Sequence, residues 1–457
     1  MGESWAAGLA AVALVVGLAG ENGGFDALSW NRALLGLAVV VLLCALLLGV
    51  ARPGRPGGAW LVVLGALTAW TSASYLWSSS PASALVEAQR VALYAAVGAA
   101  VLLCARRLPT AAIVAATVVV ACWNLVTQLR GVGSTTGASA EPVGYANGLA
   151  LLCVLGLVLL PALPRRTWVA AVPLAIDLVV QHSLGAYAAL AVAAVVFAAP
   201  RVRLAAAAIG VALLLASPYV VGGHERQHYW HVAAREAQAQ PVLGGGAGTF
   251  VNWWVRERDV PLQTEEAHSL YVETLAELGP IGLTLVLLVF AIPLAATRRR
   301  DLAAGVAAYA VAAAVDFDWE LAGVTVPALL VAALAVTPAR RRPAPLGAVV
   351  PVAAAIGAAA LLAYAGNAKL AAAQDAARSG DFPRAAAEAR AARTWMPYSP
   401  QPWLVLGDVT HDADAYRRAT ELDPADWLLW QRLAGVAHGQ LRRLAESRTA
   451  QLNPLGR

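Results

Sequence analysis

Charged side chains are what this chain has least of. Asp, Glu, Lys and Arg make up 13% of its 457 residues, against about a quarter in an ordinary soluble domain, and that shortage excludes a water-soluble globular protein. Polar alternation is missing as well. The apolar runs are unbroken Ala, Leu and Val stretches of about 14 to 20 residues, which suit helices and exclude the in-and-out pattern of barrel strands. Cysteine is scarce: Cys44, Cys104, Cys122 and Cys153 all fall inside apolar runs without close pairing. This excludes a cysteine zinc site or redox couple and predicts buried free thiols. The glycine-rich stretch 244–248 lacks the Lys-Ser/Thr that would make it a nucleotide-binding loop.

What is present is hydrophobic: 59% of residues, with mean hydropathy +0.63. The fold class expected is an all-α polytopic membrane protein. Apolar runs from Trp5–Leu18 to Leu346–Tyr364 give about 12–13 transmembrane helices. The first run lacks a basic flank and is followed by many spans, so it is expected to be an anchor rather than a cleaved signal peptide. The net charge of +5 reports topology, not a nucleic-acid partner, because the excess arginine sits in short clusters between spans. With a cytoplasmic amino terminus, Arg52/Arg55, Arg106/Arg107, Arg165/Arg166, Arg201/Arg203, Arg298–Arg300 and Arg340–Arg342 all fall on one face. That parity requires the stretch 168–199 to be split at His182-Ser183-Leu184-Gly185, since one helix of that length would measure about 48 Å and exceed the bilayer.

The same parity predicts two domains. Residues 1–366 form a transmembrane domain with a large extracytoplasmic loop at 222–279, a length uncommon unless the loop has a function. Residues 367–457 form an extracytoplasmic helical tail resembling tetratricopeptide hairpins, in which Ser399-Pro400 to Trp403 and Asp423-Pro424 to Trp427 repeat at about 24 residues. Trp30, Trp60, Trp77 and Trp168 read as interfacial anchors.

The loop ends in His268-Ser269-Leu270-Tyr271-Val272-Glu273 and continues to Glu277-Leu278-Gly279-Pro280, leading into a span. Thr264 is a candidate cap, with Glu265 and Glu266 in the first turn. At 100° per residue His268 then shares a face with Val272, Leu275 and Gly279, away from Glu273 and Glu277. Gly279-Pro280 predicts a break where the helix turns into the membrane. His224, His228 and His231 have helix-face spacing for a metal, but their small number in an arginine-rich loop points away from one. Asp316, Asp318 and Glu320 read as solvated acids of a short outer loop. Asp177, inside an apolar stretch, is where a transporter's proton relay would sit.

His-Ser-Leu-Tyr followed by Glu-Leu-Gly and Gly-Leu resembles the signature of the O-antigen ligase and O-antigen polymerase superfamily. Gly144-Tyr145-Ala146-Asn147-Gly148, Arg226-x-x-x-Trp230 and Pro241 to Phe250 resemble further segments of that family in the same order. The resemblance implies a bacterial inner-membrane glycosyltransferase. It moves a glycan from undecaprenyl diphosphate to an acceptor hydroxyl of a glycan, lipid or protein, with no cofactor and no metal. Carried over, His268 and Arg226 are the catalytic pair, and Tyr145, Asn147, Trp230, Arg235, Gly244, Gly246, Gly248 and Glu277 contact substrate. A guanidinium fork suits a diphosphate, and an imidazole can take the acceptor's hydroxyl proton near neutral pH. The chain departs from the family at Leu184, where an arginine is usual; Arg130, Arg235, Arg256 or Arg258 are candidate replacements. Two other classes remain open: a transporter or flippase of lipid-linked sugar, and a scaffold whose tail binds a protein partner.

Overall fold

The computed structural model describes residues 2–105, 108–131, 140–217, 224–337, 342–343, 347 and 349–456. Arg106/Arg107, Arg340 and Arg341, and the first two residues of the 222–279 loop, lie outside the described residues. The fold is 81% helical, with one two-residue antiparallel pairing of Ala51–Arg52 with Arg342–Pro343, and it is an all-α membrane protein. In chain order the membrane part comprises α1 (Gly2–Gly20), α2 (Ala27–Leu43), α3 (Arg55–Ala73), α4 (Pro81–Ala99), α5 (Thr110–Leu129), α6 (Ala146–Leu159), α7 (Ala171–Gln181), α8 (Leu184–Ala198) and α9 (Arg203–Ser217). Then follow α10 (His224–Ala239), α11 (Phe250–Glu257), α12 (Leu270–Ala296), α13 (Arg300–Ala312), α14 (Ala322–Val336) and α15 (Val349–Arg378). The carboxyl-terminal set is α16 (Phe382–Trp395), α17 (Gln401–Thr410), α18 (Ala413–Leu422), α19 (Trp427–Val436) and α20 (Gly439–Leu452).

Among the described residues seven helical segments are long and apolar enough to cross a bilayer, and four more apolar helices are shorter. The expected 12–13 full spans were read from hydropathy alone, which cannot see that α7 and α13 stop after 11 and 13 residues, or about 17–20 Å. The break at 182–185 is where the sequence placed it. His182 ends α7 in the left-handed region, and the Ser183 hydroxyl accepts the Ala186 N–H at 3.2 Å to start α8. α13, α14 and α6 form the centre and are buried along nearly their whole length. Their Ala, Gly and Val faces allow close backbone approach. The outer helices leave Leu47, Val62 and Leu213 exposed, as lipid-facing positions require.

The four tryptophans expected at the interface differ in exposure, Trp77 being half-buried. Trp60 is fully buried and donates its indole N–H to the Val289 carbonyl at 2.8 Å, and Trp30 is buried too, whereas Trp168 is exposed. Of the thiols only Cys153 is buried; Cys122 is exposed, because its position on α5 points away from the packed centre.

Tertiary contacts sort the two ends of the bundle. Arg299 donates to Thr110 at the start of α5, Arg203 donates to the Ala295 carbonyl at the end of α12, and Arg52 pairs in register with Arg342. At the opposite end Gly23 packs against Val143 and Leu321, and Gly24 against Ala322. The 366/367 boundary expected from composition falls inside α15, which runs about 45 Å without interruption from the bundle into the tail. Ser399-Pro400 and Asp423-Pro424 do mark hairpins, since they precede α17 and α19, the first helices of two successive pairs. The tail folds back on the bundle through Ser80 with Asp423, Gln89 with Tyr398 and Arg258 with Asn453.

Candidate functional site

His268 does not belong to the helix that follows it. Ser269 is the cap, its hydroxyl accepting the Val272 N–H, and α12 begins at Leu270. Thr264 closes a turn with Glu266 instead. The helical-wheel reading of His268 therefore fails. Its backbone is left-handed, φ +53°, a conformation costing a non-glycine residue about 1–2 kcal/mol, and that kink turns the imidazole out of the helix line. Its Nδ1 lies 3.1 Å from the Glu266 carbonyl.

The ring then meets two others: Phe317 at 5.0 Å, edge-on, and Tyr229 at 5.3 Å. Phe317 in turn packs 4.3 Å from Tyr145. Asp316 accepts the Tyr145 hydroxyl and, at 2.7 Å, the Asn147 amide. Arg226 on α10 donates Nε to the Val315 carbonyl at 2.9 Å. His268, Arg226, Tyr145 and Asn147 thus converge on the segment 315–317 although three separate stretches of chain supply them. Burial lowers the basicity of His268, and Arg226 pushes the same way, while the Glu266 carbonyl and Asp316 oppose the shift. Burial, then Asp316, raises the Tyr145 phenol well above its ordinary range, so it stays a hydrogen-bond donor.

Other expected substrate contacts are spent on the fold. Trp230 is buried and donates its indole N–H to the Ala267 carbonyl at 3.0 Å, which positions the residue before His268. Gly244, Gly246 and Gly248 have φ of +76°, +108° and +72°, left-handed or extended-positive values that favour glycine. They form a nest of amides suited to an anion, but Glu277 fills it. Its carboxylate accepts the Gly248 and Phe250 N–H groups, both at 2.9 Å, and its carbonyl accepts Gly246 at 2.8 Å. Glu277 and the three glycines are therefore a structural clasp rather than a phosphate cradle. Gly279, φ +65°, breaks α12 where expected, and a Cβ there would press on the Val242 carbonyl.

The arginines considered as replacements at Leu184 are held elsewhere. Arg235 is exposed and pairs with Glu257; Arg256 pairs with Glu257 and stacks 4.1 Å over Trp253; Arg258 is buried on the Leu262 carbonyl and Asn453; Arg130 is exposed. Leu184 itself points outward, 80% exposed. His228 lies 2.8 Å from Asp259; the His224 side chain is outside the described residues.

The loop acids expected to be solvated are buried: Asp316, Asp318 and Glu320 are at most 7% exposed. Burial and Asp316 push the Asp318 carboxyl well up. Glu320 is ion-paired with Arg90, which also grips Glu87 and is 4% exposed. Sequence reasoning passed over Arg90 because it began a span at Val91. The available signal was an ionisable pair, Glu87 and Arg90, one turn apart beside an apolar run. Around Arg90 the structure gathers Glu266, Glu273 and Glu320, with one carboxylate oxygen from each within 4.8 Å of the other two. This set borders a cleft of about 800 Å³ between the bundle and the tail, lined also by Asp423 and Asp426. Asp177 accepts from Asn124 at 2.6 Å and Gln181 at 3.2 Å, a buried polar cluster of neutral partners. No family model matches this chain, and a search of curated proteins finds no match for it.

Proposed function

We propose that this protein is a membrane glycosyltransferase that moves a glycan from a polyprenyl-diphosphate-linked donor to an acceptor hydroxyl on the extracytoplasmic face, as a ligase or polymerase of surface polysaccharide. The observation that carries the reading is the convergence of His268, Arg226, Tyr145 and Asn147 on residues 315–317, all singled out by motif before any contact was known. Arg226 supplies the cation that a diphosphate leaving group needs. His268, kept neutral by burial, takes the proton of the attacking hydroxyl. Asp316 accepts from both Tyr145 and Asn147 and so fixes these two side chains beside His268, where the glycan would lie against them. With the arginine clusters on the cytoplasmic side, the His268 end of the bundle and the tail face outward, in the inner membrane of a bacterium. Asp177 is held by neutral partners, Asn124 and Gln181 on one oxygen and the Cys153 thiol on the other, and pairs with no cation among the described residues.

The test is glycan transfer from a polyprenyl-diphosphate-linked oligosaccharide by the full chain in vesicles. Wild type is expected to transfer, and His268→Ala and Arg226→Ala are each expected to lose at least ~100-fold at unchanged membrane abundance. Full transfer by His268→Ala overturns the assignment. Lipid-linked substrate crossing the bilayer without any transfer product replaces it with transport.

A further inference from the structure

We infer that Glu266, Glu273 and Glu320 form a binding site for a hard divalent cation, calcium by size. That ion would tie the loop carrying His268 to the first turn of α12 and to the connection between α13 and α14.

The three carboxylates come from three separate segments, and one oxygen from each lies within 4.8 Å of the other two. Calcium holds oxygens at about 2.3–2.6 Å, so two ligands across the ion stand up to about 5 Å apart, and this spread needs no rearrangement; magnesium, at about 2.0–2.1 Å, requires a tighter set. All the donors are oxygen, with neither histidine nor cysteine among them, which selects against zinc and copper. Glu266 and Glu273 are in direct hydrogen-bond contact, an approach that two carboxylates make only with a proton or a cation between them. Arg90 brings a single positive charge, and its guanidinium already grips Glu87 and Glu320. Glu87, Glu266, Glu273 and Glu320 surround it, more carboxyl groups than one guanidinium can pair, so the remainder must hold protons or a cation.

A second observation is independent of the carboxylates. Thr71 on α3 is 1% exposed, and its hydroxyl has no hydrogen-bond partner. It lines a cavity of about 40 Å³ together with Glu273 and Glu320, room for an ion and about one or two waters. An unpartnered buried hydroxyl beside clustered carboxylates offers a cation one more oxygen donor.

The experiment is thermal unfolding of the full-length, EDTA-treated protein in detergent, titrated with calcium chloride and separately with magnesium chloride. Calcium is expected to raise the unfolding temperature of wild type, saturating at roughly 10⁻⁴–10⁻³ M as in other extracytoplasmic sites, with magnesium weaker. Glu273→Gln and Glu266→Gln are expected to weaken the response at least tenfold, and Thr71→Val severalfold. In calcium-free buffer both Gln variants are expected to unfold at or above the wild-type temperature, because each removes one charge from a crowded set; loss of response is then loss of the site and not misfolding. A wild type indifferent to calcium up to about 10 mM, or a Glu273→Gln protein with an undiminished response, overturns the proposal. The readout is unfolding temperature, so it stands or falls separately from glycan transfer.

Discussion

Two corners at the His268 end of the bundle share one wall and are built on opposite principles. Phe317 presents an edge to His268 on one side and lines the carboxylate chamber on the other. The His268 corner is largely aromatic: Asp316 meets neutral donors, Asp318 and Glu225 stand within electrostatic reach, and one guanidinium, Arg226, rests on a carbonyl. The chamber next to it crowds Glu87, Glu266, Glu273 and Glu320 around Arg90. Under the glycan-transfer function proposed above, the first corner receives an anionic donor, which ionised carboxylates beside it would repel. A corner holding that much buried negative charge has to bind protons or cations to persist. Physically the first suits the chemistry and the second suits holding the first in place, with Glu266 standing two residues before His268.

Substitutions can break this division. The largest effect expected is on activity: His268→Ala should cut glycan transfer by ~100-fold or more while shifting the unfolding temperature little, whereas Glu266→Gln should do the reverse in calcium. Equal losses of activity in the two variants would erase the distinction between the corners. Next is stability in the chamber. Arg90→Ala leaves Glu87 and Glu320 buried without a counter-ion, and is expected to cost about 3–5 kcal/mol in thermal or denaturant unfolding. Arg90→Lys should recover only part of this, because one ammonium cannot grip both carboxylates as a fork does. In the neutral corner Asp316→Ala strands the Tyr145 and Asn147 donors and should cost about 1–3 kcal/mol, a smaller penalty because no charge is left unpaired.

The smallest effect is a pH dependence at the rim where the tail closes the cleft. Burial raises Asp423, bonded to Ser80, to about 6 from 3.8. A carboxyl whose docked pKa is raised favours docking when protonated, so its contribution is complete below about pH 4 and is lost as pH rises through about 6. Hydrogen exchange of α19 against pH should show looser docking above pH 6 than at pH 4, and Asp423→Asn should flatten that step. A step that persists in Asp423→Asn assigns it to another group.

Much of the candidate site was readable because its members lie in local motifs. Tyr145 and Asn147 sit at the start of α6, Arg226 and Trp230 one turn apart on α10, and His268 just before α12. The motifs named residues but not jobs. Trp230 and Glu277 carry the family-like spacing, yet one props the Ala267 carbonyl and the other fills the glycine nest. Which amide an anion occupies depends on what packs opposite, and that partner lies 29 residues away for Gly248 and Glu277. The acids at 316–320 misled for the same reason. A short charged segment between apolar helices looks solvated until α4 brings Arg90 and the Tyr145 turn brings its hydroxyl to cover it.

Composition and hydropathy by themselves determined the membrane character, the helical class and the chain breaks at Ser183 and Gly279-Pro280, since these rest on backbone satisfaction in lipid, capping hydroxyls and a residue free to take positive φ. Tertiary structure alone decided how many helices reach bilayer length, that the tail grows out of α15 without a linker, and that the carboxylates at the His268 end close on Arg90. Such outcomes depend on contacts between residues as far apart as the 343 positions separating Ser80 from Asp423, and no local pattern encodes the energy of bringing such groups out of water together.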